Sequence, residues 1–118
     1  LAYRARRESA RVGLGDLDAS VRSILDAVRP YTVASSERIA ALCSAVDYVV
    51  RHDVAGAFVE CGLWRGGSLY AVALRLRQLG VSDREIVGFD TFSGMTPPTE
   101  HDVDYKGAAP AHPPVVAA

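Results

Sequence analysis

The sequence predicts an α/β protein built around one β–α–β unit behind N-terminal helices, and three observations predict it. Residues 57–61 and 85–90 are short, near-continuous apolar runs bounded by turn residues, the pattern of strands buried on both faces of a parallel sheet. Between them a glycine-rich turn, Gly62 to Gly67, leads into a segment at 68–79 with apolar residues at helical spacing. Residues 57–90 therefore read as one strand–helix–strand crossover. Upstream, residues 36–52 carry apolar side chains at steps of three and four, the mark of a helix with one face on a core.

Taken in order, residues 1–15 are weakly patterned. Their basic cluster, Arg4, Arg6, Arg7 and Arg11, reads as the solvated face of a terminal segment. A short helix is expected over 16–28, capped by Asp16, with Leu17, Val21, Ile24, Leu25 and Val28 at helical spacing. Pro30 ends it, having no N–H to continue the ladder. Residues 1–30 thus form an N-terminal helical segment, and 30–36 a loop. The next helix starts at Ser35 or Ser36, whose hydroxyl can accept from an orphan N–H, with Glu37 in the first turn, where the dipole favours an acid. Ile39, Leu42, Cys43, Val46, Val49 and Val50 should face the core, and Arg38, Asp47 and Arg51 water. Residues 53–56 make a turn before the first strand. In the crossover helix Leu69, Val72, Ala73, Leu76 and Leu79 form the inner face, and Gly80 is the stop. Ser82, Asp83 and Arg84 turn the chain into the second strand. Beyond Asp90 the pattern dissolves: 91–107 is loop-like, with Pro97-Pro98, Asp102 and Asp104, and the Ala/Pro-rich tail at 108–118 is expected to be disordered.

The 118 residues suffice for one small domain. A formal net charge of −1 gives no basic excess for a nucleic acid or an anionic membrane, and neither is expected as a partner. No apolar run approaches the roughly 18 residues of a membrane span, and no secretory signal is visible. The two cysteines, Cys43 and Cys61, fit neither a CxxC pair nor a zinc pattern and are read as small buried thiols. The expected location is the cytoplasm. The chain opens on Leu1 rather than Met, so its start is expected to be incomplete.

The informative feature is the strand–turn–helix at Glu60-Cys61-Gly62-Leu63-Trp64-Arg65-Gly66-Gly67-Ser68. It is related to the glycine-rich nucleotide-binding turn but is not GxGxxG. Gly62 allows a sharp turn, Gly66 and Gly67 let backbone approach a ligand, and the following helix offers unpaired N–H groups and a positive dipole end. Asp90 ends the next strand close to the spacing of about 20 residues expected of an acid that takes ribose hydroxyls. Glu60, inside an apolar run, needs a partner: a ligand's amino group, Arg65 or another cation. Asp90 could instead cap a following turn. Spacing alone does not separate S-adenosylmethionine from NAD.

The wording of these segments goes further. Phe58-Val59-Glu60-Cys61-Gly62-Leu63-Trp64-Arg65-Gly66-Gly67-Ser68 resembles the first motif of the macrocin-type (TylF-like) O-methyltransferases. Asp90-Thr91-Phe92-Ser93-Gly94-Met95, with Pro97 and Thr99-Glu100-His101-Asp102-Val103, resembles their second characteristic stretch, and Tyr31-Thr32, Ser36, Glu37-Arg38-Ile39 and Leu42 their lead-in. The resemblance covers 31–107, which it implies is a partial methyltransferase domain. It implies a Rossmann-like class I methyltransferase fold, incomplete here: the N-terminal helices plus the first β–α–β unit. It implies methyl transfer from S-adenosylmethionine to a hydroxyl, on a sugar of a glycosylated, antibiotic-type natural product, with magnesium binding the sugar hydroxyls in full-length relatives. Carried over by position, Glu60, Gly62, Gly66, Gly67 and Ser68 would surround the methionine part of the cofactor, with Cys61 and Trp64 in the same turn. Asp90 would hold the ribose, Thr91 and Phe92 would border the sugar or adenine, and Tyr31, Thr32 and Ser36 would lie at the pocket mouth.

The departures bear on activity. The family's metal-binding carboxylates and general base come from later strands, so no catalytic or metal residue is assigned in this chain. Asp102 and Asp104 are not placed as ligands, and His101 and His112 read as exposed loop residues. The tail does not resemble the family, and a truncated or frameshifted reading is expected, inactive by itself. Two other readings stay open: a nucleotide-binding module of a dehydrogenase-like α/β protein, and a non-catalytic remnant that binds nothing or pairs with itself.

Overall fold

The computed structural model describes residues 17–94, 99–103 and 107–108. Three α-helices and a two-stranded parallel sheet follow in the order α1 (Ala19–Val28), a 3-10 turn (Arg29–Tyr31), α2 (Ser36–Arg51), β1 (Phe58–Cys61), α3 (Gly67–Gln78) and β2 (Ile86–Phe89). The basic cluster of residues 1–15, Asp16, Met95, Pro97, Pro98, Asp104, His112 and the tail from 109 onward lie outside the described residues.

The cap of α1 differs from the sequence expectation. Asp18, not Asp16, starts the helix: its carboxylate accepts from Ser20 N–H at 2.8 Å, because only Asp18 stands two residues before a free first-turn donor. Pro30 then turns the chain into the 3-10 segment. Ser35 caps α2 as expected, its hydroxyl accepting from Arg38 N–H at 3.4 Å. At the far end of α2, Asp53 takes the left-handed position (φ 49°), and Val54 N–H reaches back to Val49 C=O, the closure that glycine usually provides. Gly80 makes the same closure after α3 at φ 72°, with Val81 N–H on Leu76 C=O.

The strands pair Phe58 with Ile86, Val59 with Val87, Glu60 with Gly88 and Cys61 with Phe89. Phe58 and Ile86 pack with Val46 of α2 and Val72 and Leu76 of α3, so the helices cover one face of the sheet. A second cluster joins Ile24, Leu25 and Val28 of α1 to Ile39 and Cys43 of α2 and Ala71 and Leu74 of α3.

Several expectations fail here, because α3 lies between the sheet and the other helices and because helices cover only one face of the sheet. Its buried residues are Gly67, Ala71, Val72, Leu74 and Leu76, on two sides of the helix rather than one stripe, and Leu79 is exposed. Asp47 does not simply face water. Arg75 Nε and Nη2 donate to its two oxygens at 2.6 and 2.7 Å, and Arg75 Nη1 donates to Ser20 Oγ at 2.9 Å, one fork tying three helices. Nor are the strands buried on both faces. Val59 and Phe89 are each 58% exposed, and Cys61 beside them is exposed, whereas Cys43 is buried as expected. No helix among the described residues is long and apolar enough to cross a membrane.

Candidate functional site

The chain leaves β1 through a turn shaped by three residues of positive φ: Gly62 at 85°, Trp64 at 51° and Gly66 at 74°. Gly62 N–H extends the ladder onto Phe89 C=O at 2.7 Å, and Gly66 N–H closes the turn on Leu63 C=O at 2.8 Å. A Cβ added at Gly62 or Gly66 would meet nothing within 4 Å. These two glycines are needed for their backbone angles, and the space beside them is open. Gly67 differs. A Cβ there would run into Tyr31 C=O and the Thr32 side chain, so its bare Cα is used by the chain itself, not left clear for a ligand. Gly66 caps α3 without any side-chain hydrogen bond, and no acid stands in the first turn.

Asp90 closes the other side. Its Oδ2 accepts from Leu63 N–H at 2.7 Å and Trp64 N–H at 3.3 Å, and its Oδ1 accepts from Phe92 N–H at 2.9 Å. The capping alternative is therefore seen in the Phe92 bond, and the other oxygen of the same carboxylate is engaged by the amides of the glycine turn. The N–H groups of Phe92 and then Leu63 hold its carboxyl below the ordinary range, since each bond favours the charged form. Trp64 and Phe92 are the non-glycine residues of positive φ at this end of the sheet among the described residues, and this carboxylate holds the amides of both together with that of Leu63. Trp64 is 46% and Phe92 76% exposed.

Glu60 lies on the helix-facing side of β1, two residues after Phe58 and opposite Gly88. Its Oε2 is buried with no hydrogen-bond partner among the described residues. Arg65, the intramolecular partner the sequence allowed, instead lays its guanidinium 5.0 Å over the Trp64 ring. A buried carboxylate oxygen without a donor is costly and is the observation here that most calls for a ligand.

The expected lead-in residues are only partly gathered. Tyr31 packs edge-on to Tyr70, ring centroids 6.0 Å apart, and Tyr31 and Thr32 lie against Gly67; Ser36 opens α2. Ser68, half-buried, is in the first turn of α3, and Cys61 ends β1 on the open face. Thr91 Oγ1 donates to Gly94 C=O at 3.2 Å. Asp102 is engaged by Thr99 N–H and Oγ1 within its own loop, and His101 is exposed. Among the described residues no group of three or more His, Cys, Asp or Glu side chains could hold a metal ion.

Sequence reasoning missed Leu63 and Gly88. A Cβ at Gly88 would strike the Leu63 and Leu69 side chains, so this glycine lets the turn settle on the sheet. A lone glycine inside a strand was the available signal of such an approach.

No curated protein and no solved structure matches the chain. The family model described as macrocin-O-methyltransferase (TylF) matches residues 13–115. With that match spanning nearly the whole chain, over the same strand, turn and carboxylate, the chain belongs to the TylF macrocin-O-methyltransferase family.

Proposed function

We propose that the chain carries the cofactor-binding part of an S-adenosylmethionine-dependent O-methyltransferase, on the first β–α–β unit of a Rossmann-like sheet. The observation that carries this reading is the orphaned Glu60 Oε2 beside an open glycine turn. The residues fit the cofactor: a buried acceptor for a cationic amino group, two glycines with clear space, an uncapped helix start for a carboxylate, and an ionised Asp90 for a ribose. When bound, S-adenosylmethionine supplies an electrophilic methyl group on its sulfonium. Glu60 would accept hydrogen bonds from the ammonium group, and the N–H groups at the start of α3 would meet the carboxylate. Asp90 would take ribose hydroxyls, and Trp64 and Phe92 would border the nucleoside. The acceptor in this reading is a hydroxyl of a glycosylated small molecule, a choice supported by membership of a macrocin-O-methyltransferase family. Among the described residues no cluster of three or more His, Cys, Asp or Glu side chains is assembled to hold magnesium.

Calorimetric titration of the 118-residue chain with S-adenosylhomocysteine tests the reading. Glu60→Leu should weaken binding by roughly 10- to 100-fold, the worth of about 1.5–3 kcal/mol in charged hydrogen bonds. The same variant should melt higher, because it removes a buried oxygen that lacks a donor. Unchanged affinity in Glu60→Leu would contradict the assignment.

A further inference from the structure

Asp90 is shared between the turn it faces and the ligand proposed for it. A carboxylate offers about four lone-pair sites. Three amides already make hydrogen bonds of good geometry to this one, Leu63 at 2.7 Å, Phe92 at 2.9 Å and Trp64 at 3.3 Å, and the Thr91 amide interacts with it more weakly than any of the three. A ribose presents two hydroxyl protons, so a two-pronged grip requires one of these bonds to yield. The Trp64 bond is the longest and so the weakest. Trp64 is also held at a φ of 51°, a backbone position L-residues with side chains rarely adopt, so it gains by leaving. Its ring is half-exposed and carries the Arg65 guanidinium at 5.0 Å, leaving room for the pair to move together.

Resting on the cofactor reading above, we propose that Trp64 is a ligand-responsive positioning residue, whose amide gives up Asp90 to a vicinal diol while the Leu63 and Phe92 amides stay bound. In the free protein the carboxylate holds the turn in shape. In the complex the diol takes the place of one amide, and the backbone at Trp64 leaves the left-handed region. A ligand with one ribose hydroxyl needs only the site that is already free and leaves Trp64 where it is. The device therefore distinguishes ribose from deoxyribose through the backbone rather than through a new contact.

The test follows the amides of Leu63, Trp64 and Phe92 by nuclear magnetic resonance in the isotope-labelled chain. S-adenosylhomocysteine and its 2′-deoxyribose analogue are added in separate titrations, with binding read independently by calorimetry. With S-adenosylhomocysteine the Trp64 amide proton should shift upfield and lose its strong nuclear Overhauser contact to its own α proton, the sign of a positive φ. Leu63 and Phe92 should keep their carboxylate-bonded positions, and the deoxy analogue should bind without moving Trp64. In Asp90→Ala, which removes the acceptor altogether, the Trp64 amide should sit at the released position before any ligand is added. If that variant fails to fold, the two ligands on the native chain decide. Binding of S-adenosylhomocysteine with Trp64 unmoved, or with the deoxy analogue moving it equally, overturns the exchange and leaves the cofactor reading standing. Absence of any binding overturns both.

Discussion

Replacing Gly67 by alanine puts the packing of the site's floor to a quantitative test. A Cβ at this position would lie 2.6 Å from the Thr32 Cβ and closer still to Tyr31 C=O, whereas carbon atoms in contact rest about 3.5–4.0 Å apart. The obstacle is backbone, so no rotamer change relieves it, and the Arg29–Tyr31 turn or the start of α3 must retreat by roughly 1 Å. Overpacking of this kind costs about 1–3 kcal/mol, and the rigid neighbour argues for the upper end. Alanine's higher helix propensity returns at most about 1 kcal/mol. The net loss of about 2 kcal/mol lowers the melting temperature by roughly 8–16 °C for a domain of this size. Thermal unfolding followed by circular dichroism measures it. Thr32→Gly in the same chain should restore part of the loss, because it removes one of the two obstructing groups. A Gly67→Ala chain as stable as the parent would refute the reasoning, and with it the contact between the Tyr31 segment and the helix start.

Other outcomes follow from the same coordinates. Asp47→Ala takes its carboxylate partner from the Arg75 guanidinium, only 12% exposed, and leaves it Ser20 Oγ and Gln78 Oε1; the change should cost about 2–3 kcal/mol after allowing for its partial exposure. Arg75→Met with Asp47→Ala should be milder than Asp47→Ala alone, as urea unfolding would show. The Arg75 hydrogen bonds hold the Asp47 carboxyl below its ordinary value. Its contribution is therefore complete above the unfolded carboxylate range and lost as pH falls through the lower folded value. Urea midpoints measured from neutral to strongly acid pH should fall less steeply in Asp47→Asn, and an unchanged slope would count against the pairing. In the native chain a chromogenic disulfide reagent should modify Cys61 quickly and Cys43 only on unfolding. Burial also pushes the Cys43 thiol up, which lowers its thiolate fraction.

The parts of the fold that were legible in the sequence are those fixed by neighbouring residues. Ser35 and Glu37 announce a helix start, Gly80 a helix stop, and residues 58–68 a strand, a turn and a helix, because caps and left-handed closures are local chemistry. What required coordinates depends on which element lies beside which. Leu74 and Ala71 look off the stripe of α3 until α1 and α2 are placed on its second side. Asp47 reads as solvated until Arg75 arrives from another helix. Val59 and Phe89 read as doubly buried because apolar runs do not say how many layers cover them. At the site, the residue types were readable and their partners were not. An acid inside an apolar run, Glu60 calls for a donor, but only the structure shows that Arg65 goes to the Trp64 ring instead. For Asp90 the sequence allows a ribose acceptor or a turn cap; the Phe92 bond is the cap, and the bonds from Leu63 and Trp64 tie the carboxylate to the glycine turn, a link no local pattern announces.

A crystal structure of the chain grown with S-adenosylhomocysteine tests the central claim most directly. The account predicts a ribose hydroxyl within about 2.7–3.0 Å of an Asp90 oxygen and the ligand's amino group bonded to Glu60 Oε2. A ligand seated away from the 62–66 turn, with Glu60 Oε2 still lacking a donor, would contradict it.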